Sequence, residues 1–147
     1  MLDIKIKKFN KLTIQELYSI LKLRSEIFVV EQDCVYQDLD GKDAKALHVI
    51  GIENNEIVAY TRVFKSGDYF DIASIGRVAV HKDHRKYGYG KDIMQASINV
   101  VNDKLKEQKI KISAQTYLSR FYTELGFKAI GEGYLEDGIP HIEMLKE

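Results

Sequence analysis

The stretch Val78-Ala79-Val80-His81-Lys82-Asp83-His84-Arg85-Lys86-Tyr87-Gly88-Tyr89-Gly90 decides how the middle of the chain folds. Its apolar start predicts a strand, and the polar loop after Val80 leads into a long helical pattern. At the start of a helix several backbone N–H groups lack intrahelical partners, and the helix dipole favours an anion. Gly88 and Gly90 have no side chains to hold a phosphate away from those groups. The segment therefore predicts a polyphosphate-binding site.

Local charge supports the same interpretation, and the glycine spacing narrows it. Lys82, Arg85, Lys86 and Lys91 surround the two glycines. A Walker loop would need glycine at position 85 and Ser or Thr after the lysine, where the chain has Asp92. The dinucleotide-binding fingerprint would need a third glycine at position 93, where the chain has isoleucine. A nucleotide-binding protein of either class is therefore disfavoured.

Composition limits the kind of protein. The 147 residues include 22 basic and 22 acidic side chains, so a global basic field for nucleic acid or anionic membrane is absent. Cys34 is the only cysteine, which excludes an intrachain disulfide and favours a reducing compartment. The N-terminus lacks the apolar core of a signal peptide, and no run approaches the roughly 18 apolar residues of a membrane span. We expect a cytoplasmic protein with no nucleic-acid or membrane partner.

Patterns on both sides of the central segment predict a single α+β domain over residues 1–147. Thr13 and Glu16 form a capping box at the start of a first helix. Asn54-Asn55 predicts a hairpin turn, since Asn tolerates positive φ angles. Residues 29–46 are polar and predict a loop. Further strands are expected at 75–80, 110–112, 128–134 and 141–145, and helices after Gly90 and at 117–125.

Arg85, Gly88 and Gly90 match in full the signature Q/R-x-x-G-x-G/A of the GCN5-related N-acetyltransferase (GNAT) superfamily, which this chain resembles. Phe121-Tyr122-Thr123-Glu124-Leu125-Gly126-Phe127 is similar to the family's F-Y-x-x-x-G-F. Two motifs at the right distance make the resemblance specific, and the order of elements agrees along the whole chain. Within the superfamily, residues 28–34 and 136–144 look most like the ElaA branch.

The resemblance implies a GNAT fold, with a mixed, mostly antiparallel sheet and helices on both faces. Its central parallel strands, Ser74–Val80 and Ile110–Ala114, should splay apart to admit acetyl-CoA. Gln115 stands where many family members have Asn, and its amide can still bond the pantetheine arm. The residues implied to bind acetyl-CoA are Val78, Ala79, Val80, Arg85, Lys86, Tyr87, Gly88, Tyr89, Gly90, Lys91 and Gln115.

The same resemblance implies direct transfer of an acetyl group to a primary amine in a ternary complex, without a metal. Tyr122 matches the family's general acid for the departing thiolate, with a core aromatic as its alternative role. A backbone N–H near residues 78–80 suits the developing oxyanion. Glu31, His48, Glu132 and His141 are titratable, and none of them is singled out as the base.

Other side chains have a chemical and a structural interpretation. Cys34 could be a nucleophile, but a lone cysteine beside apolar Val35 is usually structural. Arg77 is expected in a structural ion pair. His81 and His84 could suggest a metal pair, yet the loop between them belongs to the proposed phosphate site.

Asp38-x-Asp40-Gly41-x-Asp43 faintly resembles a calcium loop. It lacks the required glycine at loop position 6 and the glutamate at position 12, where Val49 lies. We therefore predict no calcium site there.

A non-catalytic acyl-CoA-binding or regulatory module of the same fold is the alternative function. The sequence names no acceptor, and it leaves a homodimer open.

Overall fold

The computed structural model describes residues 2–147, which form one mixed sheet flanked by helices. The strands are β1 Asp3–Lys8, β2 Leu47–Glu53, β3 Glu56–Phe64, β4 Ala73–Val80, β5 Ile110–Gln115, β6 Lys128–Glu136 and β7 Ile139–Lys146. The α-helices are α1 Ile14–Arg24, α2 Tyr89–Asp103 and α3 Ser119–Glu124. The sheet order is β1-β2-β3-β4-β5-β7-β6, with all neighbours antiparallel except β4 and β5. The predicted fold is confirmed.

The two faces of the sheet bury different helices. Because side chains alternate along a strand, Val49 and Ala59 face the larger core, which includes α2 and α3. Ile50 and Tyr60, one position further on, face a smaller core with Ile20 of α1. The helical pattern after Gly90 predicts an inner stripe of Met94, Ile98, Val101 and Leu105; the first three are buried along α2, and Leu105 lies just after the helix and is half-buried. Helices therefore cover both faces.

The predicted splay of the central strands is confirmed. β4 and β5 pair only at Ala73 with Ile110 and at Ser74 with Lys111, after which they separate. β4 also carries an irregularity opposite β3, where Arg77 has a φ of 51°. An extra residue in one strand increases the local twist and bends the strand. The separated ends leave a cleft in the middle of the sheet.

Two local predictions from turn chemistry are confirmed. Thr13 Oγ1 accepts the Glu16 N–H at 3.0 Å, and the Glu16 carboxylate accepts the Thr13 N–H at 2.9 Å. Asn54 and Asn55 have φ angles of 52° and 64°, as a tight hairpin turn between β2 and β3 requires. In both places the side chain or the backbone preference acts locally, so the sequence pattern suffices.

The predicted loop over residues 29–46 begins later than expected. A π-helical segment, Ser25–Glu31, continues α1, and the Gln32 N–H donates to the Ile27 carbonyl at 3.1 Å. Ile27 is buried with Ile20, so apolar burial extends the helix into the stretch predicted as loop. Similarly, part of the loop before α2 is a 3-10 helix, Lys82–Tyr87.

The aspartate-rich stretch after this segment binds buried arginines. Arg24 Nη1 donates to Asp43 at 2.8 Å, and Arg24 Nε donates to Asp38 at 3.0 Å. Arg62 donates to Asp40 at 2.6 Å and to Asp43 at 3.1 Å. Both guanidinium groups are almost fully buried. The carboxylates of the faint calcium-loop pattern therefore neutralise arginines.

Arg77 joins the same network from β4. Its Nε donates to Asp38 Oδ1 at 2.7 Å, and its Nη2 lies 3.5 Å from Asp40 Oδ2. The predicted structural ion pair of Arg77 is present. We call this network the arginine–aspartate cluster; its members are Arg24, Arg62, Arg77, Asp38, Asp40 and Asp43.

Candidate active site

A cleft of about 910 Å³ opens where β4 and β5 separate. Its walls come from the π-helical segment, β4, the start of α2, β5, α3 and the turn between β6 and β7. Val78, Val80, Gly88 and Gly90 line the wall formed by β4 and the start of α2, and Ser113, Glu136 and His141 line the wall formed by β5, β6 and β7. The cleft therefore connects the glycine-rich segment to residues far from it in sequence.

The start of α2 has the free donors that the sequence predicts. The residue before the helix, Gly88, has a φ of 75° and caps no N–H with a side chain. Within residues 2–147, the first backbone bond of the helix runs from the Asp92 N–H to the Gly88 carbonyl at 3.2 Å. The N–H groups of residues 89–91 therefore precede the helical ladder and suit an anion.

Gly90 keeps this end of the cleft open. A Cβ built on Gly90 would lie 3.5 Å from the Phe121 ring and 3.8 Å from Val80. Such contacts would fill the space between the helix start and α3 without a backbone clash. The absence of a side chain therefore makes room for a ligand, and a pyrophosphate fits these donors.

Not every predicted cofactor-binding side chain lines the cleft. Ala79 is buried on the opposite face of the sheet, with α1. Lys86 and Tyr87 are exposed, and the Lys86 Nζ lies 5.3 Å from the Tyr87 ring centroid. Tyr89 is 5% exposed, and its ring stacks on His84 at 6.4 Å. None of these four residues is among those that line the cleft.

Arg85 lines the cleft, but its guanidinium is engaged. Nη1 and Nη2 donate to the two carboxylate oxygens of Glu31 at 2.6 and 2.8 Å, and Nε donates to the Val80 carbonyl at 3.0 Å. The hydrogen bonds from Arg85 hold the pKa of Glu31 below its ordinary value. Glu31 is therefore an ionised partner of Arg85, which makes it a poor base. Lys91 also lines this end and adds positive charge.

Tyr122 lies on α3 at the wall of the cleft and is only 6% exposed. Its ring contacts Phe121 edge-on at 5.1 Å and Phe127 at 6.1 Å. Burial raises the pKa of Tyr122 well above its ordinary value. The phenol therefore stays protonated at neutral pH and can act as a donor.

Gln115 has a hydrogen-bond partner that the sequence did not predict. Its amide exchanges hydrogen bonds with Gln32 at 3.2 and 3.4 Å. Gln32 follows the π-helical segment, so the pair joins the two walls of the cleft. Nearby, Cys34 Sγ donates to the Asp137 carbonyl at 3.4 Å. No periodicity or motif in the sequence could have paired these distant positions.

The four titratable base candidates differ in their burial, their hydrogen-bond partners and their position relative to the cleft. His48 is buried against Tyr60 Oη at 2.6 Å and the Asp43 carbonyl at 2.9 Å, outside the cleft. Burial lowers the pKa of His48, which keeps it neutral. Glu132 is exposed and does not line the cleft, and Glu31 is paired. His141 lines the cleft and is 6% exposed.

Across residues 2–147, no three His, Cys, Asp or Glu side chains are grouped so that they could hold a metal ion. In the same part of the chain, no helix is long and apolar enough to cross a membrane. His81 and His84, which could suggest a metal pair in the sequence, pack with their rings edge-on, and their ring centroids are 5.5 Å apart.

Comparison with known proteins gives a consistent result. A family model described as an acetyltransferase (GNAT) domain matches residues 15–147. Protein ElaA of Escherichia coli is 39% identical over 140 residues, 94% of this chain and 92% of ElaA. The crystal structure of E. coli ElaA superimposes with a TM-score of 0.93 over all of both chains. An acyl-CoA N-acyltransferase from Pseudomonas aeruginosa, 36% identical, superimposes with a TM-score of 0.94 over all of both chains.

Proposed function

The chain belongs to the GNAT acetyltransferase family, in its ElaA-like branch, and on that premise we propose that it transfers an acetyl group from acetyl-CoA to a primary amine. One observation carries the proposal. The cleft between the splayed strands β4 and β5 runs from the uncapped start of α2 to the buried phenol of Tyr122. That is an anion site and a proton donor at two points of one channel.

The start of α2 supports binding of the pyrophosphate. Its free N–H groups and dipole favour negative charge, and Gly90 leaves the approach open. Lys91 adds a cation at the same end of the cleft. Arg85 contributes by holding the loop, since its guanidinium ties Glu31 of the π-helical segment to the carbonyl of Val80.

Tyr122 supports the chemical step. A thiolate leaving the acyl group needs a proton, and a phenol at the wall of the cleft, which is protonated at pH 7, can supply it. The backbone of β4 past Ser74 has no β5 partner in the described chain, so N–H groups there can face developing charge on the carbonyl oxygen. Val78 and Val80 line this part of the cleft with apolar side chains that exclude water.

The acceptor must lose a proton before it attacks. A primary amine with a pKa near 10.4 is protonated at pH 7, and freeing its lone pair costs about 4–5 kcal/mol. A site that attracts the ammonium and offers a proton acceptor would lower this cost. The general base is the part of the mechanism that the family resemblance leaves unassigned.

The test uses purified protein, acetyl-CoA and a panel of primary amines. Acetyl-CoA should raise the melting temperature with increasing concentration, and ATP should raise it much less. Free thiol should then appear when an amine is added, measured with a thiol reagent. An unchanged melting temperature at millimolar acetyl-CoA would contradict the proposed cofactor. A rise in melting temperature without thiol release would support the non-catalytic acyl-CoA-binding module instead.

A further inference from the structure

The wall of the cleft formed by β5, β6 and β7 contains a hydrogen-bonded group of polar side chains that the steps described above do not use. Ser113 Oγ donates to Glu136 Oε1 at 3.2 Å, and Ser113 also bonds to the hydroxyl of Tyr134. The other carboxylate oxygen of Glu136 lies 3.4 Å from His141 Nε2. Three strands therefore place Glu136 and His141 side by side at the cleft wall.

His141 is held in one orientation. Its Nδ1 lies 2.7 Å from the Ile139 carbonyl, which can only accept, so Nδ1 carries the hydrogen. Its ring stacks on Tyr134 at 6.1 Å with an interplanar angle of 22°. In the neutral ring this leaves the lone pair on Nε2, which lies 3.4 Å from a carboxylate oxygen of Glu136. The side chain lines the cleft and is more than nine-tenths buried, so this lone pair is shielded from bulk water.

The charge around this lone pair favours a cation. Glu136 and Asp137 both line the cleft. The two guanidinium groups that line it are paired with carboxylates, Arg77 with Asp38 and Asp40 and Arg85 with Glu31. The ammonium of a primary amine can donate at once to a Glu136 oxygen and to Nε2, which an anionic or purely apolar ligand cannot do.

We infer that Glu136 and His141 form the acceptor subsite, in which Glu136 binds the ammonium of the acceptor and His141 Nε2 removes its proton. The inference rests on the proposed acyl transfer. It assigns a binding residue and a general base on the wall of the cleft formed by β6 and β7. Tyr36 and Tyr69 also line the cleft, so an amine with an apolar or aromatic substituent has a surface to contact.

The protons and bonds balance with the groups present. Nε2 takes one proton from the ammonium, and the imidazolium is stabilised by Glu136 until it releases the proton to solvent. The amine nitrogen forms a bond to the acyl carbon, and the carbon–sulfur bond breaks. The thiolate takes a proton from Tyr122, and the second proton lost by the nitrogen restores the phenol. The products are an amide and a free thiol.

Titratable groups other than Glu136 also surround His141 and bear on any pH profile. Tyr134 lies on β6, Asp137 in the turn, and Glu143 on the same strand as His141. On the β5 side, the registered neighbour of His141 is uncharged Gln115. Cys34 is linked to the Asp137 carbonyl.

Binding can be tested without turnover, by nuclear magnetic resonance of the imidazole nitrogens in the protein saturated with coenzyme A. The signals that are missing from the spectrum of His141→Gln are those of the His141 imidazole. Tyramine and butylamine should shift these signals, whereas the matched alcohols tyrosol and butanol should not. Glu136→Gln should abolish the shift, and Glu132→Gln, on the same strand but outside the cleft, should keep it. Unchanged His141 signals with both amines, while coenzyme A binds, would overturn the subsite.

Turnover separates a base from a structural histidine. His141→Gln should lower kcat by about 10²–10⁴-fold and remove the acidic limb of the kcat/KM profile, while acetyl-CoA still raises the melting temperature. Glu136→Gln should mainly raise KM for the amine. A histidine variant that loses stability but keeps the acidic limb would refute the base. If the parent protein binds acetyl-CoA but acetylates no amine, the proposed transfer fails, and the imidazole signals still decide the amine subsite.

Discussion

The arginine–aspartate cluster and the cleft beside it use similar side chains in different ways. In the cluster, three arginines meet three aspartates, and each charge has an opposite partner within hydrogen-bond distance. In the cleft, Tyr122 lines the wall with contacts to the rings of Phe121 and Phe127, and Nε2 of His141 lies 3.4 Å from a carboxylate oxygen of Glu136. Arg77 belongs to both regions, since it lines the cleft and binds Asp38.

From this difference we expect pairing, and not residue type, to separate structural polar groups from the proposed functional ones. A buried charge that is fully paired has no hydrogen-bonding capacity left for a ligand. Removing one partner leaves the other charge buried without a counter-charge. A buried polar group that faces a cavity keeps its capacity for a substrate. The predictions below test this contrast.

The largest effect is expected in the cluster. Arg62→Met should lower the free energy of unfolding by about 3–5 kcal/mol, because half-buried Asp40 would lose its closest partner and buried Asp43 would lose one of its two guanidinium partners. Urea denaturation measures this loss. Arg120→Met is the matched control, since its side chain is 94% exposed and its ion pair with Glu124 spans 3.6 Å. A change of less than about 0.5 kcal/mol is expected there, and an equally small change for Arg62→Met would contradict the contrast.

In the cleft, Tyr122→Phe should lower turnover by about 10²–10⁴-fold while acetyl-CoA affinity changes little. The change removes one oxygen from a ring whose contacts with Phe121 and Phe127 remain. Turnover and melting temperature should be measured on one preparation. Tyr18→Phe, on the exposed side of α1, is the control. Near-parental turnover of the Tyr122 variant would leave the residue a core aromatic only.

A smaller effect is expected where the cleft meets α2. Gly90→Val should weaken acetyl-CoA binding by at least about tenfold, or about 1.4 kcal/mol, because the added side chain would occupy the approach to the free N–H groups. Gly133→Val is a matched control, since a Cβ there also has its nearest contact at 3.5 Å but lies outside the cleft. Titration calorimetry compares the two. Equal affinity in both variants would mean that the phosphate site has been misplaced.

The smallest effect concerns acid stability. Burial alone would raise the pKa of Asp40, but hydrogen bonds from Arg62 and from the Lys42 N–H bring it well below its ordinary value. A carboxyl group with a lowered pKa in the folded state stabilises the protein above its unfolded pKa of about 3.9. That contribution is lost as the pH falls towards the folded value. The melting temperature of the parent should therefore fall more steeply below pH 4 than that of Asp40→Asn, and parallel curves would contradict this assignment.

Several features of this protein follow from the sequence by itself. The capping box of Thr13 and Glu16, the Asn54-Asn55 turn and the inner stripe of α2 depend on neighbours within a few residues, so local patterns suffice. The two glycines before and in the first turn of α2 likewise mark the proposed anion site through backbone geometry that any helix start has. The GNAT fold followed from two short motifs at the right spacing.

Only the tertiary structure decided which polar groups meet. Arg85 lies 54 residues from Glu31, and Gln115 lies 83 residues from Gln32, yet each pair forms hydrogen bonds across the cleft. The sequence left Glu31 and His141 equal as titratable groups. The folded chain ties one to a guanidinium and turns the other towards the cleft beside Glu136. The physical reason is that the pKa and hydrogen-bonding capacity of a side chain depend on its neighbours in space, which strand order and splay bring together.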